Sequence, residues 1–493
     1  MLKVKVQRSA IMIYPYTMGM LDNLEKALSV WDNILHKYTT HLYDFVEEEN
    51  SRSGVLKISK GFGVDMICDM LTMKGVTYEL IDESGMWPEI RKVEIPMVKT
   101  PRNQIQESAT RFLNETFTKS CGQAFLQLDT GVGKTFTCVN HASKKGFTTL
   151  VVSYNLTNQW IERITDYTSL VSGKDVAPII GTQTFKDIID GKMKKPDAAF
   201  YITTTNTLVL MAQTYGKESL QKIADVLGIG IKIFDEAHTH YLMFNTIDLN
   251  MQTCETIYVT ATPGRSNKIE DRLYGKIYRS VPSYGDFTSK LNNYYIIKYI
   301  TYDSHSMARD RRGFKTPRGL SSVLYTKFLW NKWGAELCRM IMHYALPILK
   351  EDNEGKILIV TDQLQDIAFG KSQMEKEYPE YSVGTYCLLV KDPVLKEAQL
   401  EKRIIFGTLG AMQNGRDINN LRAIFPLSAF SSKIVTHQLL GRLRYIPNKY
   451  VYYFDFADIS VYKTIEQRKE RDIVLRDRAQ NDIQTEVIDL DRF

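Results

Sequence analysis

The sequence predicts an α/β protein with two parallel sheets preceded by a small α/β unit. From about residue 102 to 285, short apolar runs alternate with helix-length segments, the pattern of βαβ units. The same alternation resumes at Lys356 and continues to Phe454. The chain has 493 residues, enough for roughly three domains of ~150 residues each. Its 44% hydrophobic and 24% charged residues are ordinary for a globular protein and exclude a disordered, collagen-like or rod-like chain.

Taken in order, residues 1–95 read as the small α/β unit, an accessory domain. Asp22 to Leu42 predicts a helix, Gly54 to Ser59 a strand, Val64 to Met73 a second helix and Val76 to Ile81 an alternating strand. Pro96 and Pro101 bracket a linker. The apolar runs Gln123–Leu128, Thr149–Val152, Ala199–Ile202, Ile229–Phe234 and Thr256–Val259 predict the strands of a domain over 96–285. Lys356–Val360, Arg403–Phe406, Leu421–Phe425 and Tyr450–Phe454 predict those of a domain over 286–465. Residues 466–493 form a tail, and Glu466 to Arg478, dense in both charges, predicts an exposed helix.

Six cysteines, at 68, 121, 138, 254, 338 and 387, include no CxxC pair, which argues against a disulfide scaffold and a structural zinc site. No apolar run approaches the ~18 residues of a membrane helix. The basic start is followed by an apolar stretch, Ala10 to Ile13, too short for a secretory core. The expectation is a soluble intracellular protein. The net charge of +6 permits an anionic partner without identifying one.

Leu128-Asp-Thr-Gly-Val-Gly-Lys-Thr135 follows a predicted strand and opens a predicted helix. Gly131 and Gly133 allow the backbone to curl so that its N–H groups point at phosphate oxygens, and the helix N-terminus adds its positive dipole end. Lys134 would reach the β- and γ-phosphates and Thr135 would ligate Mg²⁺. Thr130 and Val132 complete the loop. The general pattern carries a further glycine where this chain has Leu128.

Ile231-Lys-Ile-Phe-Asp-Glu-Ala-His238 is an apolar strand ending in two acids. Asp235 is positioned to hold Mg²⁺ through its water shell, and Glu236 to polarise the water that attacks the γ-phosphate. In an open parallel sheet both motifs fall outside the carboxyl ends of strands, where ligands bind. His238 is read as a relay to the next motif rather than as a proton donor.

A GxGKT loop, Asp-Glu-Ala-His at 235–238, Thr260-Ala-Thr-Pro263 and Gln438-Leu-Leu-Gly-Arg442, in that order, resemble the motif set of superfamily 2 helicases over about residues 102–460. The resemblance implies two tandem RecA-like domains with ATP and Mg²⁺ between them. It implies that Lys134, Asp235, Glu236 and an arginine finger at Arg442 carry catalysis. Gln106, with Gln104 as the alternative register, would read the adenine. His238, Gly415, Asp417, Gln438 and Arg444 would face the nucleotide. The family's second arginine falls at Tyr445, one position after Arg444, so either Arg442 or Arg444 serves as the main finger. Thr260 and Thr262 would couple nucleotide state to strand grip.

For nucleic acid, the resemblance implies contacts from Gln159 and Trp160 in a segment similar to the XPB and UvsW-like branches, from Thr205, and from Thr408. Ser153 replaces a proline common in that first segment. Arg309 to Arg318 holds five basic residues against one acidic, so Arg311 and Arg312 are phosphate-contact candidates, with a solvated interdomain loop as the alternative. Tyr325, Phe328, Trp330 and Trp333 at near-helical spacing read as core in preference to a base-stacking wedge.

Residues 234–246 and 438–442 are similar to a poxvirus helicase of transcript release. Gly61-Phe-Gly63 with Lys74–Ile81 is similar to the N-terminal domain of UvsW-type phage helicases. These favour a viral DNA motor acting on single-stranded or branched DNA, with an RNA-directed or transcript-release motor as the alternative, in a host cytoplasm. No Asp/Glu-x-Lys triplet lies in 1–95, which argues against a nuclease. The acids, Lys134 and Arg442 argue against a clamp that binds without turnover.

Overall fold

A computed structural model describes residues 1–32, 36–47, 52–86, 90–119, 122–128, 131–154, 157–261, 268–286, 295–316, 319–387, 392–413, 418–444, 446–478 and 483–493. The chain divides into two compact units, Met1–Phe287 and Thr288–Phe493.

The first unit opens with β1 (Leu2–Val6), β2 (Ala10–Tyr16), β3 (Ser29–Asp32), β4 (Lys37–His41), β5 (Tyr43–Glu47), β6 (Gly54–Ser59) and β7 (Tyr78–Asp82). A mixed sheet has the order β5-β6-β2-β1-β7, with β1 antiparallel to β2 and parallel to β7. In β1, Leu2, Val4 and Val6 are buried while Lys3 is exposed, the two-residue alternation of a strand with one face on a core. The helix expected over Asp22–Leu42 covers only Asp22–Ala27. Beyond it Ser-Val-Trp and Tyr-Thr-Thr, β-branched and aromatic, pair as the ribbon β3–β4 instead.

Next come β8 (Gln123–Leu128), β9 (Thr149–Ser153), β10 (Val176–Pro178), β11 (Phe200–Thr204), β12 (Ile231–Phe234), β13 (Glu255–Thr260) and β14 (Ser283–Asp286). They form an all-parallel sheet in the order β10-β11-β9-β12-β13-β8-β14. Every residue of β9, β12 and β13 is buried, as both faces of such a sheet are covered.

The expected boundary near residue 95 separates two sheets but not two cores. Leu2, Val4, Ile11, Ile13, Leu56 and Ile58 join Phe125, Tyr258, Tyr274 and Tyr278 of the parallel-sheet region in one apolar cluster. Backbones meet at this contact: a Cβ on Gly61 would collide with the Ile277 carbonyl, and one on Gly122 with the Arg8 carbonyl. Lys57 belongs to the same contact: its Nζ donates to Asn250 Oδ1 at 2.9 Å, and burial lowers its pKa.

The second unit contains β15 (Tyr295–Asp303), the ribbon strands β16 (Lys315–Thr316) and β17 (Gly319–Leu320), β18 (Lys356–Thr361), β19 (Val383–Tyr386), β20 (Ile404–Thr408), β21 (Leu421–Pro426), β22 (Val451–Asp458) and β23 (Ile483–Asp489). Its seven-stranded, all-parallel sheet has the order β19-β20-β18-β21-β22-β15-β23. Tyr325, Trp330 and Trp333 lie on the helix Ser322–Glu351 and are buried in this unit's core.

Residues 466–493 are not an exposed tail. The helix Tyr462–Arg478 packs on β22, and β23 closes the sheet against β15. Arg468 Nε and Arg471 Nε reach the two oxygens of buried Asp455 at 2.8 and 2.6 Å, and Arg471 is itself buried. The charge density that suggested solvent serves a buried ion cluster. Among the described residues no helix is long and apolar enough to cross a membrane.

Candidate nucleotide site

The phosphate loop leaves β8 and enters the helix Lys134–Lys145. Gly131 and Gly133 sit at φ +80° and +113°, so the curl rests on conformations that side-chain-bearing residues rarely adopt. The helix Gln104–Thr118 braces the loop from behind. Asn103 caps it by accepting from the Gln106 N–H at 2.9 Å. Gln106 is buried; its Nε2 donates to the Val132 carbonyl at 2.9 Å and its Oε1 accepts from the Arg102 N–H at 2.9 Å. The Arg102 guanidinium donates to the Gly131 carbonyl. Gln106 therefore lies at the loop, with both amide groups engaged in shaping it. A Cβ on Gly133 would strike Gln106 Nε2. Lys134 Nζ donates to the Leu128 carbonyl at 3.2 Å, and Thr135 is half-buried one residue further on.

Two strands away, with β13 between, β12 ends in the acid pair. Asp235 is buried, its N–H donating to the Val152 carbonyl of neighbouring β9 at 3.0 Å. Its Oδ1 accepts from the Glu236 N–H at 3.0 Å, and its Oδ2 from the Trp160 indole N–H at 2.8 Å. Burial and the Glu236 charge push the Asp235 carboxyl up to about 6, against the downward pull of the Trp160 bond and the Lys134 charge. Glu236 has φ +51°, strain of the kind found where the chain must turn a side chain outward at a functional site. Its side chain stays about 30% exposed while Asp235 is enclosed. His238 is buried, with Nδ1 2.7 Å from Thr260 Oγ1 and 3.3 Å from Glu236 Oε2. The carboxylate turn and the end of β13 are thus joined through one imidazole.

Behind the acids lies a group the sequence reading missed. Lys232, inside β12, is buried and paired with Asp248 Oδ1 at 2.5 Å. Asp248 Oδ2 accepts from Tyr258 at 2.5 Å and from Gln123 at 2.9 Å. The network ties the helix Tyr241–Asn250 to β8, β12 and β13. A lone lysine within Ile-Lys-Ile-Phe was the signal, since a buried lysine requires a partner.

Two expected nucleic-acid contacts lie in the interior. Trp160 is 3% exposed, and its only polar atom is bonded to Asp235. Thr205 is fully buried. The exposed neighbours are Asn206 and, in part, Thr204, whose Oγ1 caps the helix Thr205–Tyr215. Gln159 is half-exposed. In the second unit Thr408 is half-exposed at the end of β20, accepting from the Ala411 N–H at 3.3 Å. Arg311 and Arg312 are exposed on the short helix Ala308–Gly313, Arg311 donating to the Ser460 carbonyl at 3.0 Å. Gln438 is half-buried on the helix Lys433–Leu440; Arg442 follows it and is buried, and Arg444 is half-buried. Thr130, Thr262, Gly415, Asp417 and Tyr445 lie outside the described residues.

Residues 99–265 match the family model described as the type III restriction enzyme res subunit. The chain is 23% identical over 428 residues to the transcript termination protein A18 of Ectromelia virus (strain Moscow), covering 81% of this chain and 78% of that protein. Among solved structures it is similar to the DNA-bound ATP-dependent type ISP restriction-modification enzyme LlaBIII, with a TM-score of 0.52 and 15% identity, covering 85% of this chain and 34% of that enzyme. It is similar to S. cerevisiae Dbp5 bound to RNA and ADP·BeF3, with a TM-score of 0.52 and 12% identity, covering 87% and 94% of the two chains. With the ordered motifs and two seven-stranded parallel sheets, these matches make the chain similar to nucleic-acid-dependent ATPases of the helicase type.

The donor set fits a nucleoside triphosphate: a left-handed glycine loop at a helix N-terminus, a lysine beside it and an acid pair nearby. Gly133→Ala adds a Cβ at φ +113° against Gln106, a backbone conformation costing about 1–3 kcal/mol. ADP affinity of the full chain, measured by fluorescent-nucleotide titration, should fall roughly tenfold or more.

Proposed function

We propose that the chain is an ATP-driven DNA translocase. The observation that carries this reading is the convergence of the Gly131–Thr135 loop, Asp235 and Glu236 on the carboxyl edge of one parallel sheet. In the reading, backbone N–H groups of the loop bind the phosphates, Lys134 neutralises the β- and γ-oxygens, and Thr135 and Asp235 hold Mg²⁺. A cation held there would supply charge neutralisation at the phosphates. Glu236 orients the attacking water. His238 reports nucleotide state to Thr260 through their 2.7 Å contact. By the motif resemblance, Arg442 is the finger, Gln438, Arg444, Gly415 and Asp417 belong to the nucleotide-binding set, and Thr408 is a strand contact. Gln159, Arg311 and Arg312 contact DNA phosphates, which suits a motor because phosphates carry no sequence.

The finer substrate is branched DNA, supported by the likeness of the Gln159-Trp160 segment and of residues 61–81 to the UvsW type. Transcript release is the second reading, favoured by the resemblance to A18 across most of both chains. Steady-state ATPase at fixed salt with no nucleic acid, single-stranded DNA, forked DNA, Holliday junction DNA and single-stranded RNA separates them. We expect forks or junctions to stimulate most and Lys134→Ala to abolish turnover on every substrate. Strongest stimulation by RNA would replace the first reading with the second. Full turnover in Lys134→Ala would sink the nucleotide site.

Asp235 holds a cation only as the carboxylate. Its carboxyl is raised to about 6, so protonation below that pH removes the ligand. ATPase should therefore fall as pH drops from 7 to 5. Added Mg²⁺ should move this limb to lower pH, because cation and proton compete for one group.

A further inference from the structure

We infer that Trp160 is a positioning residue of the nucleotide site: its indole N–H fixes the Asp235 carboxylate in the orientation that receives a divalent cation. The inference rests on the reading of Asp235 as the cation carboxylate and adds a residue that reading does not contain. Trp160 lies on the helix Thr157–Tyr167, which follows β9, the strand hydrogen-bonded to β12. The helix carries the indole to the carboxyl end of the neighbouring strand, where Nε1 meets Asp235 Oδ2 at 2.8 Å.

Three features distinguish this contact from ordinary core packing. First, Asp235 is held at three points: its backbone by Val152, Oδ1 by the Glu236 N–H and Oδ2 by the indole. Of the three, only the indole is a side chain, so only it can be removed without altering the backbone. Second, an indole N–H donates and cannot accept. It supports the ionised carboxylate and leaves each oxygen further lone pairs for a cation. Third, the indole body belongs to the same apolar core as Val151, Ile164, Ile202 and Ile233, which keeps water from competing for the bond. A group that orients a metal-binding carboxylate without touching the metal commonly contributes 10–100-fold in metal affinity.

The test uses the full chain with Trp160→Phe and, separately, with the isosteric 3-benzothienylalanine at position 160, which replaces only the N–H by sulfur. ADP binding is titrated calorimetrically in chelator and at increasing Mg²⁺. We expect ADP affinity in chelator to stay within about twofold of wild type, and the Mg²⁺ concentration at half-saturation to rise roughly 10–100-fold in both variants. In turnover, raised Mg²⁺ should restore kcat. A purely structural role would lower ADP affinity with and without metal alike. Half-saturation at the wild-type Mg²⁺ concentration in the isostere would overturn the inference, as would loss of its fold, since the bond would then serve packing alone. Lys134→Ala is measured in parallel. If it binds ADP as wild type does, the nucleotide reading of the loop is at fault, whatever the position-160 variants do.

Discussion

A carboxylate enclosed at the end of a fully buried strand is the constraint around which the first unit is arranged. An isolated charge there would be costly, and the group would neutralise rather than stay ionised. Asp235 remains a usable carboxylate because two donors face it and a lysine lies within electrostatic reach. Each of those donors requires a particular piece of fold. The Trp160 bond requires β9 to lie beside β12, and the Glu236 bond requires the left-handed turn at φ +51°. The parallel sheet thus supplies the address, and the buried charge dictates what surrounds it.

The phosphate loop is shaped by a separate set of bonds with the same logic. Its carbonyls, not its N–H groups, are taken by Gln106 and Arg102. An anion site needs the N–H groups of the loop, and bonds made to its carbonyls do not compete for them. His238 then links the acid turn to Thr260 on β13, the strand that separates the loop from the acids. A change at one strand end has a short, hydrogen-bonded route to the next.

Most of this architecture was legible because parallel sheets bury both faces of their strands. The continuous run Gln123–Leu128 is read directly as β8, with the observed ends. Legibility failed where buried polar groups mimic surface. Strand β22 continues past Phe454 to Asp458, because Asp455 is held by two arginines and Asp458 by Tyr325 and the Ser304 N–H. The same arginines made 466–478 resemble a solvated helix. The predicted helix over Asp22–Leu42 failed because Val30, Trp31, Tyr38 and Thr40 favour pairing over helix continuation. In the site, the glycine loop and acid pair were visible as local spellings. Trp160 was expected to face nucleic acid, but its indole N–H is enclosed against Asp235, a partner 75 residues distant in sequence and adjacent only through the sheet. Thr205 is enclosed in the interior, and the exposed polar groups are its neighbours.

The nucleotide site turns on whether Asp235 is the carboxylate that makes nucleotide binding metal-dependent. The direct measurement is calorimetric titration of ADP into the full chain, wild type and Asp235→Asn, in chelator and in Mg²⁺. Wild type should gain affinity with Mg²⁺ and Asp235→Asn should lose that gain, while the two bind ADP equally in chelator. Equal Mg²⁺ dependence in both proteins would contradict that role of Asp235.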